Sequence, residues 1–281
     1  MCYDVIGDVM VYYIYCDNDL RLEHLKDEKP QQNIFYMHTH DFLELYIFLN
    51  GKGVYHVEGN HYPLIAGDIL IMRKNEAHYI EISDEVPYER IFIHFSDSIF
   101  SSFDTNNELL NSFFDRISGT DNLYRKENFP KHIYSLNIDR LINNPNKSKL
   151  QITTSLISLL YEIKKIREHN TPNKDRDYPI SHQILNYINQ HLFDDISLDN
   201  LAEKFFISKT TLIRIIKNST GSTPWNYITI KRLNCAKTML ENGHSPNEVC
   251  FSCGYKDYSS FFRAYKKHFS TFPRFKQKNN I

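Results

Sequence analysis

The 281-residue sequence has no long apolar run. No segment approaches the roughly 18 consecutive apolar residues that a membrane-spanning helix needs. Its N-terminus alternates acidic and apolar residues and lacks the basic flank of a signal peptide. The five cysteines are few, odd in number and scattered, which excludes a disulfide framework. We therefore expect a cytoplasmic protein without a membrane partner.

The sequence also has almost no net charge, but the two ends of the chain differ in sign. Residues 181–281 hold 14 lysines and arginines against 7 acidic residues, while the first 180 residues hold 19 against 27. At roughly 150 residues per domain, this length predicts about two domains. The asymmetry indicates a basic domain that meets a polyanion and an acidic domain that does not. Chance segregation of solvated surface charge is the alternative.

The spacing of apolar residues changes along the chain. Residues 1–96 contain short alternating runs rich in Tyr, Ile, Val and Phe, which predict a barrel or sandwich of many strands. The clearest runs are 42–49, 53–58, 69–72 and 88–95. Residues 97–170 have helical spacing, and the apolar stripe of 149–168 could pack on the barrel or on a second subunit as a dimerisation helix. Residues 171–180 are polar, contain two prolines and predict a linker.

The basic segment 181–281 contains the same pattern twice. When residues 208–227 are aligned with 257–276, Arg214 meets Arg263 and Pro224 meets Pro273. Each copy predicts two helices joined by a tight turn, with the second helix at 209–218 or 258–269. This is the helix-turn-helix arrangement, in which the second helix enters the DNA major groove. A helical hairpin with a solvated basic face is the alternative for one copy, but two copies joined by one long helix favour DNA binding.

The outer faces of the two predicted recognition helices carry basic and small polar side chains, which suit phosphate and base contacts. The predicted DNA-binding residues are Lys209, Thr210, Thr211, Arg214, Lys217, Ser259, Arg263, Lys266 and Lys267.

The acidic half contains a histidine motif, His38-Thr39-His40, followed by Glu44. Strand alternation places both histidines and Glu44 on one face, and His78 is a further candidate in the barrel mouth. Three interpretations are open for these side chains: contact with a small effector, a structural role, and ligation of a divalent metal. Further candidates in the pocket are Tyr36, Tyr46, Tyr55, Arg73 and His94.

Residues 181–281 resemble the C-terminal domain of the AraC/XylS transcription regulators. The matching residues are Ser197, Leu198, Leu201, Ala202, Ser208, Leu212, Arg214, Lys217, Gly221, Pro224, Tyr227, Ile228, Arg232, Leu233, Ala236, Leu240, Gly254, Tyr255, Ser259, Phe261, Tyr265, Lys266, Lys267 and Pro273. The stretch from His38 to Ile80, with the segment that ends at Ser96, resembles the sensor domain of the same family. The resemblance implies that Thr210, Arg214, Ser259 and Arg263 face the bases.

For the barrel, the resemblance implies an effector, often a sugar, and histidines without a metal or other cofactor. The implied effector-binding residues are His38, His40, Glu44, Tyr46 and His78.

We therefore expect a multi-domain α and β protein: an N-terminal cupin-like β-barrel, then a C-terminal all-α domain with two helix-turn-helix motifs joined by a long helix. The expected function is effector-responsive transcription regulation, not catalysis. Expected partners are promoter DNA, a small molecule, RNA polymerase and a second copy of the chain. Two alternatives are a metal-dependent cupin enzyme fused to a DNA-binding module, and an activator whose barrel needs no effector.

Overall fold

The computed structural model describes residues 9–32, 35–143, 147–169 and 178–274. The strands are β1 (Val9–Cys16), β2 (Leu20–Asp27), β3 (Leu43–Asn50), β4 (Gly53–Val57), β5 (Asn60–Pro63), β6 (Ile69–Met72), β7 (His78–Ile82), β8 (Tyr88–Phe95) and β9 (Leu123–Tyr124). They form an antiparallel six-stranded sheet in the order β1-β2-β8-β3-β6-β9 and a three-stranded sheet in the order β5-β4-β7. An isolated bridge pairs His38 with His78. The predicted N-terminal barrel is confirmed.

Strand β3 shows how side-chain alternation builds the two layers of this domain. Leu45 and Ile47 are completely buried on the face that packs against helices. Tyr46 and Phe48 point the other way, into a cluster that includes Tyr55 of β4 and side chains of β7. The small sheet therefore closes the inner face of the large one.

Three helices cover the outer face of the large sheet: α1 (Asn111–Phe114), α2 (Lys131–Asn143) and α3 (Lys149–His169). The apolar stripe of α3 is completely buried in one cluster with residues of β2, β3, β6 and β8. Its members are Leu156, Leu159, Leu160 and Ile163. Of the two packing partners considered for this stripe, the barrel is the one observed. The sequence pattern does not reveal α2, because the polar Asn137 occupies a buried position on its apolar face.

The C-terminal half is helical, as predicted. Its helices are α4 (Ile180–Gln190), α5 (Leu198–Lys204), α6 (Lys209–Thr220), α7 (Pro224–Glu241), α8 (Pro246–Ser252) and α9 (Tyr258–Phe269). The pairs α5–α6 and α8–α9 are the two helix-turn-helix motifs, and the 18-residue α7 joins them. At 1.5 Å per residue, α7 is about 27 Å long.

Local chemistry fixes the starts and turns of the recognition helices. The Ser208 hydroxyl accepts a hydrogen bond from the Thr211 amide at 3.2 Å, and the Asp257 carboxylate accepts one from the Ser260 amide at 2.8 Å. These caps satisfy amides that lack partners within the helix. Gly254 in the second turn has φ 75°, and a Cβ there would lie 2.5 Å from the Phe193 carbonyl oxygen. Only glycine fits at this turn.

A buried carboxylate joins the barrel to the helical domain. Glu58, at the turn between β4 and β5, accepts hydrogen bonds from Lys231 Nζ at 2.5 Å and from the Ala77 amide at 2.7 Å. Its second oxygen accepts from Asn189 Nδ2 at 2.9 Å and from the Tyr227 hydroxyl. Glu58 and Lys231 are both buried. The barrel is thus tied to α4 and α7 by one ionic group with several donors.

A second set of contacts lies beside the histidine motif. Asn234 of α7 donates a hydrogen bond to the Thr39 hydroxyl, and Asn75 Nδ2 donates to Cys235 Sγ at 2.7 Å. Asn75 also donates from its backbone amide to the His40 carbonyl at 3.0 Å. The helix that joins the two helix-turn-helix motifs therefore contacts the segment that carries the histidines.

Parts of all four predicted segments lie outside the described residues: 1–8 and 33–34 of the strand region, 144–146 and 170 of the helical segment, 171–177 of the linker and 275–281 of the predicted DNA-binding domain. Tyr178 and Pro179 directly precede α4. Among the described residues, no helix is both long and apolar enough to cross a membrane.

Removing one partner of the buried ion pair is expected to weaken the attachment of the two domains. Lys231→Met leaves an uncompensated carboxylate, and such changes cost about 3–5 kcal/mol. The double variant Glu58→Gln, Lys231→Met is expected to cost less than the sum of the two single variants. Urea unfolding followed by fluorescence of the single tryptophan, Trp225 at the start of α7, measures the effect.

The control is Lys256→Met, because Lys256 pairs with Asp195 at 2.8 Å while both side chains are more than three-quarters exposed. It should leave unfolding unchanged. Equal effects of Lys231→Met and Lys256→Met would show that the buried pair does not hold the domains together.

Candidate DNA interface and sensor site

The first recognition helix, α6, presents a basic outer face. Lys209, Thr210, Arg214 and Lys217 are exposed, as predicted for DNA contact. Leu212 and Ile216 on the opposite face are completely buried. Lys209 is paired with Asp199, whereas Arg214 forms no ion pair with any residue in the described part of the chain. Among the described residues, no carboxylate competes for the Arg214 guanidinium, which suits contact with a base.

Thr211 has a different environment from the other predicted residues of α6. It is half-buried, and its hydroxyl accepts a hydrogen bond from Ser208 at 3.0 Å. The backbone amide of Thr211 donates a hydrogen bond to the same Ser208 hydroxyl, so Thr211 takes part in the N-terminal cap of the helix.

The second recognition helix, α9, repeats this arrangement. Ser259, Arg263, Lys266 and Lys267 are exposed, and Phe261 is completely buried on the inner face. The Arg263 guanidinium lies 3.5 Å from the Ser260 hydroxyl. Both recognition helices thus present one exposed arginine and flanking lysines, which suits base contacts combined with phosphate contacts.

Arg232, which matches the family pattern, has a structural role. Its guanidinium donates to the carbonyl oxygens of Leu192 at 2.7 Å, Gly254 at 2.9 Å and Asp194 at 2.7 Å. These contacts join the loop before α5 to the turn of the second motif.

The candidate sensor site is a histidine cluster around Glu44. Glu44 Oε2 lies 2.8 Å from His40 Nε2, 3.2 Å from His94 Nε2 and 3.4 Å from His78 Nε2. His38 completes the cluster, since its ring centroid lies 4.4 Å from that of His78. The structure therefore brings together four of the five predicted effector-binding residues.

Four elements of the barrel position these side chains. Glu44 lies on β3, in register with His94 on β8. His78 begins β7, and the backbone bridge between His38 and His78 holds the histidine motif against that strand. His78 and Glu44 are buried, His40 and His94 are partly buried, and His38 is exposed at the mouth.

Burial and the carboxylate compete in setting the protonation of this cluster. Burial lowers the pKa of His40 to about 4, although the Glu44 carboxylate opposes the shift. Burial also disfavours a charged Glu44, but the surrounding imidazoles outweigh it and hold the pKa of Glu44 well below its usual range. For His78, burial works against the charged form, yet the adjacent Glu44 raises its pKa. The carboxylate is therefore ionised and needs positive charge or donors beside it.

Tyr46, the fifth predicted residue, lies deeper in the barrel. Its hydroxyl is 2.7 Å from that of Tyr88, and its ring centroid is 4.8 Å from that of Tyr55. Tyr55 in turn stacks on His78 at 6.0 Å. The guanidinium of Arg90 lies 4.3 Å above the Tyr88 ring. These aromatic faces form the apolar wall beneath the histidine cluster.

His94, which the sequence offered only as a further pocket candidate, joins the cluster, with its Nε2 3.2 Å from Glu44 Oε2. The alternation of side chains along β8 was the only sequence signal for His94. It shows which residues share a face, but the face that points inward is known only from the pairing of β8 with β3. The other further candidates have different positions. Tyr55 lines the wall, Tyr36 is exposed, and Arg73 pairs with Glu76 at 3.6 Å.

Two family models match this chain. Residues 22–159 match the AraC-like ligand binding domain, and residues 201–279 match a helix-turn-helix domain. The chain is 28% identical over 253 residues to the HTH-type transcriptional activator RhaS of Mannheimia succiniciproducens, covering 88% of this chain and 91% of that protein. It is 25% identical over 264 residues to the activator of the same name from Yersinia pseudotuberculosis, with the same coverage.

Among solved structures, unsaturated fatty acid-bound ToxT from Vibrio cholerae aligns with a TM-score of 0.38 and 11% identity, covering 92% of this chain and 94% of that chain.

The barrel with its inward histidine cluster and the two exposed basic helices coincide with the two matched models. The chain therefore belongs to the AraC family of DNA-binding transcription regulators, with a ligand-binding domain ahead of its two helix-turn-helix motifs.

Proposed function

We propose that this chain activates transcription at promoters, with α6 and α9 binding successive major grooves and the barrel adjusting that binding to a small effector. The observation that carries the proposal is the position of α7, which joins both helix-turn-helix motifs and contacts the barrel through Lys231 and Asn234. The relatives named as transcriptional activators over most of their length support regulation as the role, and not catalysis.

The effector is proposed to bind at His38, His40, Glu44 and His78, above the wall that includes Tyr46. Aromatic faces with a few convergent polar groups suit a carbohydrate. A ligand there shifts the protein between domain arrangements only if it binds one arrangement more tightly than the other. The Thr39–Asn234 hydrogen bond supports such a link, because Thr39 lies between two of the histidines.

The proposal also includes a cytoplasmic site of action, contact with RNA polymerase and a homodimer. The buried stripe of α3 packs against the barrel, so a dimer that forms through α3 must use the exposed face of this helix. Leu150 and Tyr161 are exposed there, at 76% and 51%, and the half-buried Ile157 lies between them.

Replacing Arg214 or Arg263 by alanine is expected to weaken binding to DNA from upstream of the gene and to relax its sequence preference. Each bidentate arginine–base contact contributes about 1–3 kcal/mol, which is roughly a 5- to 150-fold loss of affinity. Titration of fluorescent DNA at two salt concentrations measures the loss and its salt dependence. Arg140→Ala is the matched control, because Arg140 is an exposed arginine on α2.

If both recognition-helix variants bind as tightly as Arg140→Ala, the two-helix DNA-binding model is wrong. A loss in only one variant would restrict the base contacts to one motif.

A carbohydrate that fits the barrel is expected to raise the thermal unfolding midpoint of the wild type. At 100 times its dissociation constant, a ligand adds about 2.7 kcal/mol of stability. Glu44→Gln should abolish the shift, whereas Arg214→Ala, on the opposite domain, should retain it. A sugar library screened by differential scanning fluorimetry provides the measurement, and a wild type that no sugar stabilises would remove carbohydrate as the effector class.

Tyr161→Glu is expected to convert a dimer to a monomer, because it replaces an exposed aromatic ring on the outer side of α3 by a charge. Sedimentation velocity at several protein concentrations reports the change. Tyr36→Glu serves as the control, since Tyr36 is exposed on the barrel, away from α3. A wild type that sediments as a monomer throughout would contradict the homodimer.

A further inference from the structure

Three histidines of the sensor cluster use the same ring nitrogen to contact the backbone. His38 Nδ1 lies 3.0 Å from the Tyr36 carbonyl oxygen, and His40 Nδ1 lies 3.0 Å from that of Phe42. His78 Nδ1 lies 2.7 Å from the carbonyl oxygen of Glu76. A carbonyl oxygen only accepts hydrogen bonds, so each Nδ1 must carry the proton. In a neutral ring, each Nε2 is then left with a lone pair and no hydrogen.

These lone pairs meet a carboxylate, which is itself only an acceptor when ionised. His40 Nε2 and His78 Nε2 both approach Glu44 Oε2, and the completely buried His78 Nε2 has no hydrogen-bond partner among the residues that the structure describes. A metal cation between the ring nitrogens and the carboxylate accepts these lone pairs together with the carboxylate oxygen.

The spacing of the donor atoms around Glu44 fits one ion. Ligands that are about 2.1 Å from a metal lie about 3.0–3.4 Å from each other in octahedral or tetrahedral geometry. The three distances from Glu44 Oε2 to imidazole nitrogens are 2.8, 3.2 and 3.4 Å. The donor atoms of the sets His38, His40, His78 and His40, Glu44, His94 each lie within 4.8 Å of one another. His40 is common to both sets.

We propose that His38, His40, Glu44, His78 and His94 form a binding site for one divalent first-row transition-metal ion. Imidazole nitrogens with a single carboxylate suit Zn²⁺, Ni²⁺, Co²⁺ or Fe²⁺ better than Mg²⁺ or Ca²⁺, which prefer oxygen ligands. The Nδ1–H contacts with backbone carbonyls are the outer hydrogen bonds that orient metal-binding histidines. The exposed His38 gives the ion a route from solvent.

The site is connected to the DNA-binding domain. Thr39, between two ligands, accepts a hydrogen bond from Asn234 of α7, and the His40 carbonyl accepts from Asn75, which contacts Cys235. Drawing His38 and His40 onto an ion therefore changes the segment on which α7 rests. This regulatory part of the inference rests on the proposed function; the metal site does not. The ion is then the effector, or the anchor for a chelating effector.

The test is a titration of the full-length, EDTA-stripped and dialysed protein with Co²⁺, whose visible absorption reports imidazole coordination. The wild type is expected to bind one Co²⁺ per chain, and added Zn²⁺ should displace it. Glu44→Gln and His94→Asn should each weaken Co²⁺ binding by more than about 100-fold. Losing only a hydrogen-bond partner of a metal ligand already lowers metal affinity by up to about 100-fold. Two variants are used because the buried His78 is harder to replace without harming the fold.

The matched control is His61→Ala, since His61 pairs with His56 at 2.6 Å away from Glu44 and should leave Co²⁺ binding unchanged. Circular dichroism confirms folding of each variant. A folded wild type with less than about 0.1 equivalent of bound Co²⁺, Ni²⁺ or Zn²⁺ at 100 μM overturns the proposal, as does unchanged binding in Glu44→Gln and His94→Asn. Arg214→Ala should bind Co²⁺ normally, so a failure of DNA recognition remains distinguishable from a failure of metal binding.

Discussion

The Glu58 carboxylate is the constraint on which the arrangement of the two domains depends. It is buried, and a buried charge persists only where it is paired and hydrogen-bonded. Four donors from the barrel, α4 and α7 meet this requirement, with Lys231 as the counter-ion. Moving the helical domain away would leave both charges without partners, so the barrel and α7 stay together unless a stronger interaction replaces this one.

This constraint gives α7 two roles. It spaces the two recognition helices, and it also forms one wall of the domain interface through Lys231 and Asn234. The histidine cluster reaches the same helix through Thr39. Under the proposed function, a change in the barrel would reach both recognition helices through α7, without a separate path to each.

The sequence predicted the helical domain closely. The repeated pattern predicted recognition helices at 209–218 and 258–269, and the structure has them at Lys209–Thr220 and Tyr258–Phe269, joined by the expected long helix α7. These signals are local, because caps and helical periodicity involve residues near each other in the chain. In the barrel, the strands at 69–72 and 88–95 were placed equally well, but β1, β2, β5, β7 and the short β9 were not among the runs that the sequence pattern singled out. Of these, β7 and β9 show the reason. Their existence depends on pairing with β4 and β6, which are distant in sequence.

The sequence by itself determined the family, the two classes of domain, the exposed arginines of both recognition helices and most of the histidine cluster, because each is recorded in residue type and short-range spacing. Only the tertiary structure decided that the α3 stripe packs on the barrel, that His94 joins Glu44, and that Glu58 binds Lys231. The last pair is 173 residues apart in the chain. Such contacts follow from strand register and domain packing, and no local pattern specifies which distant side chains share one buried space.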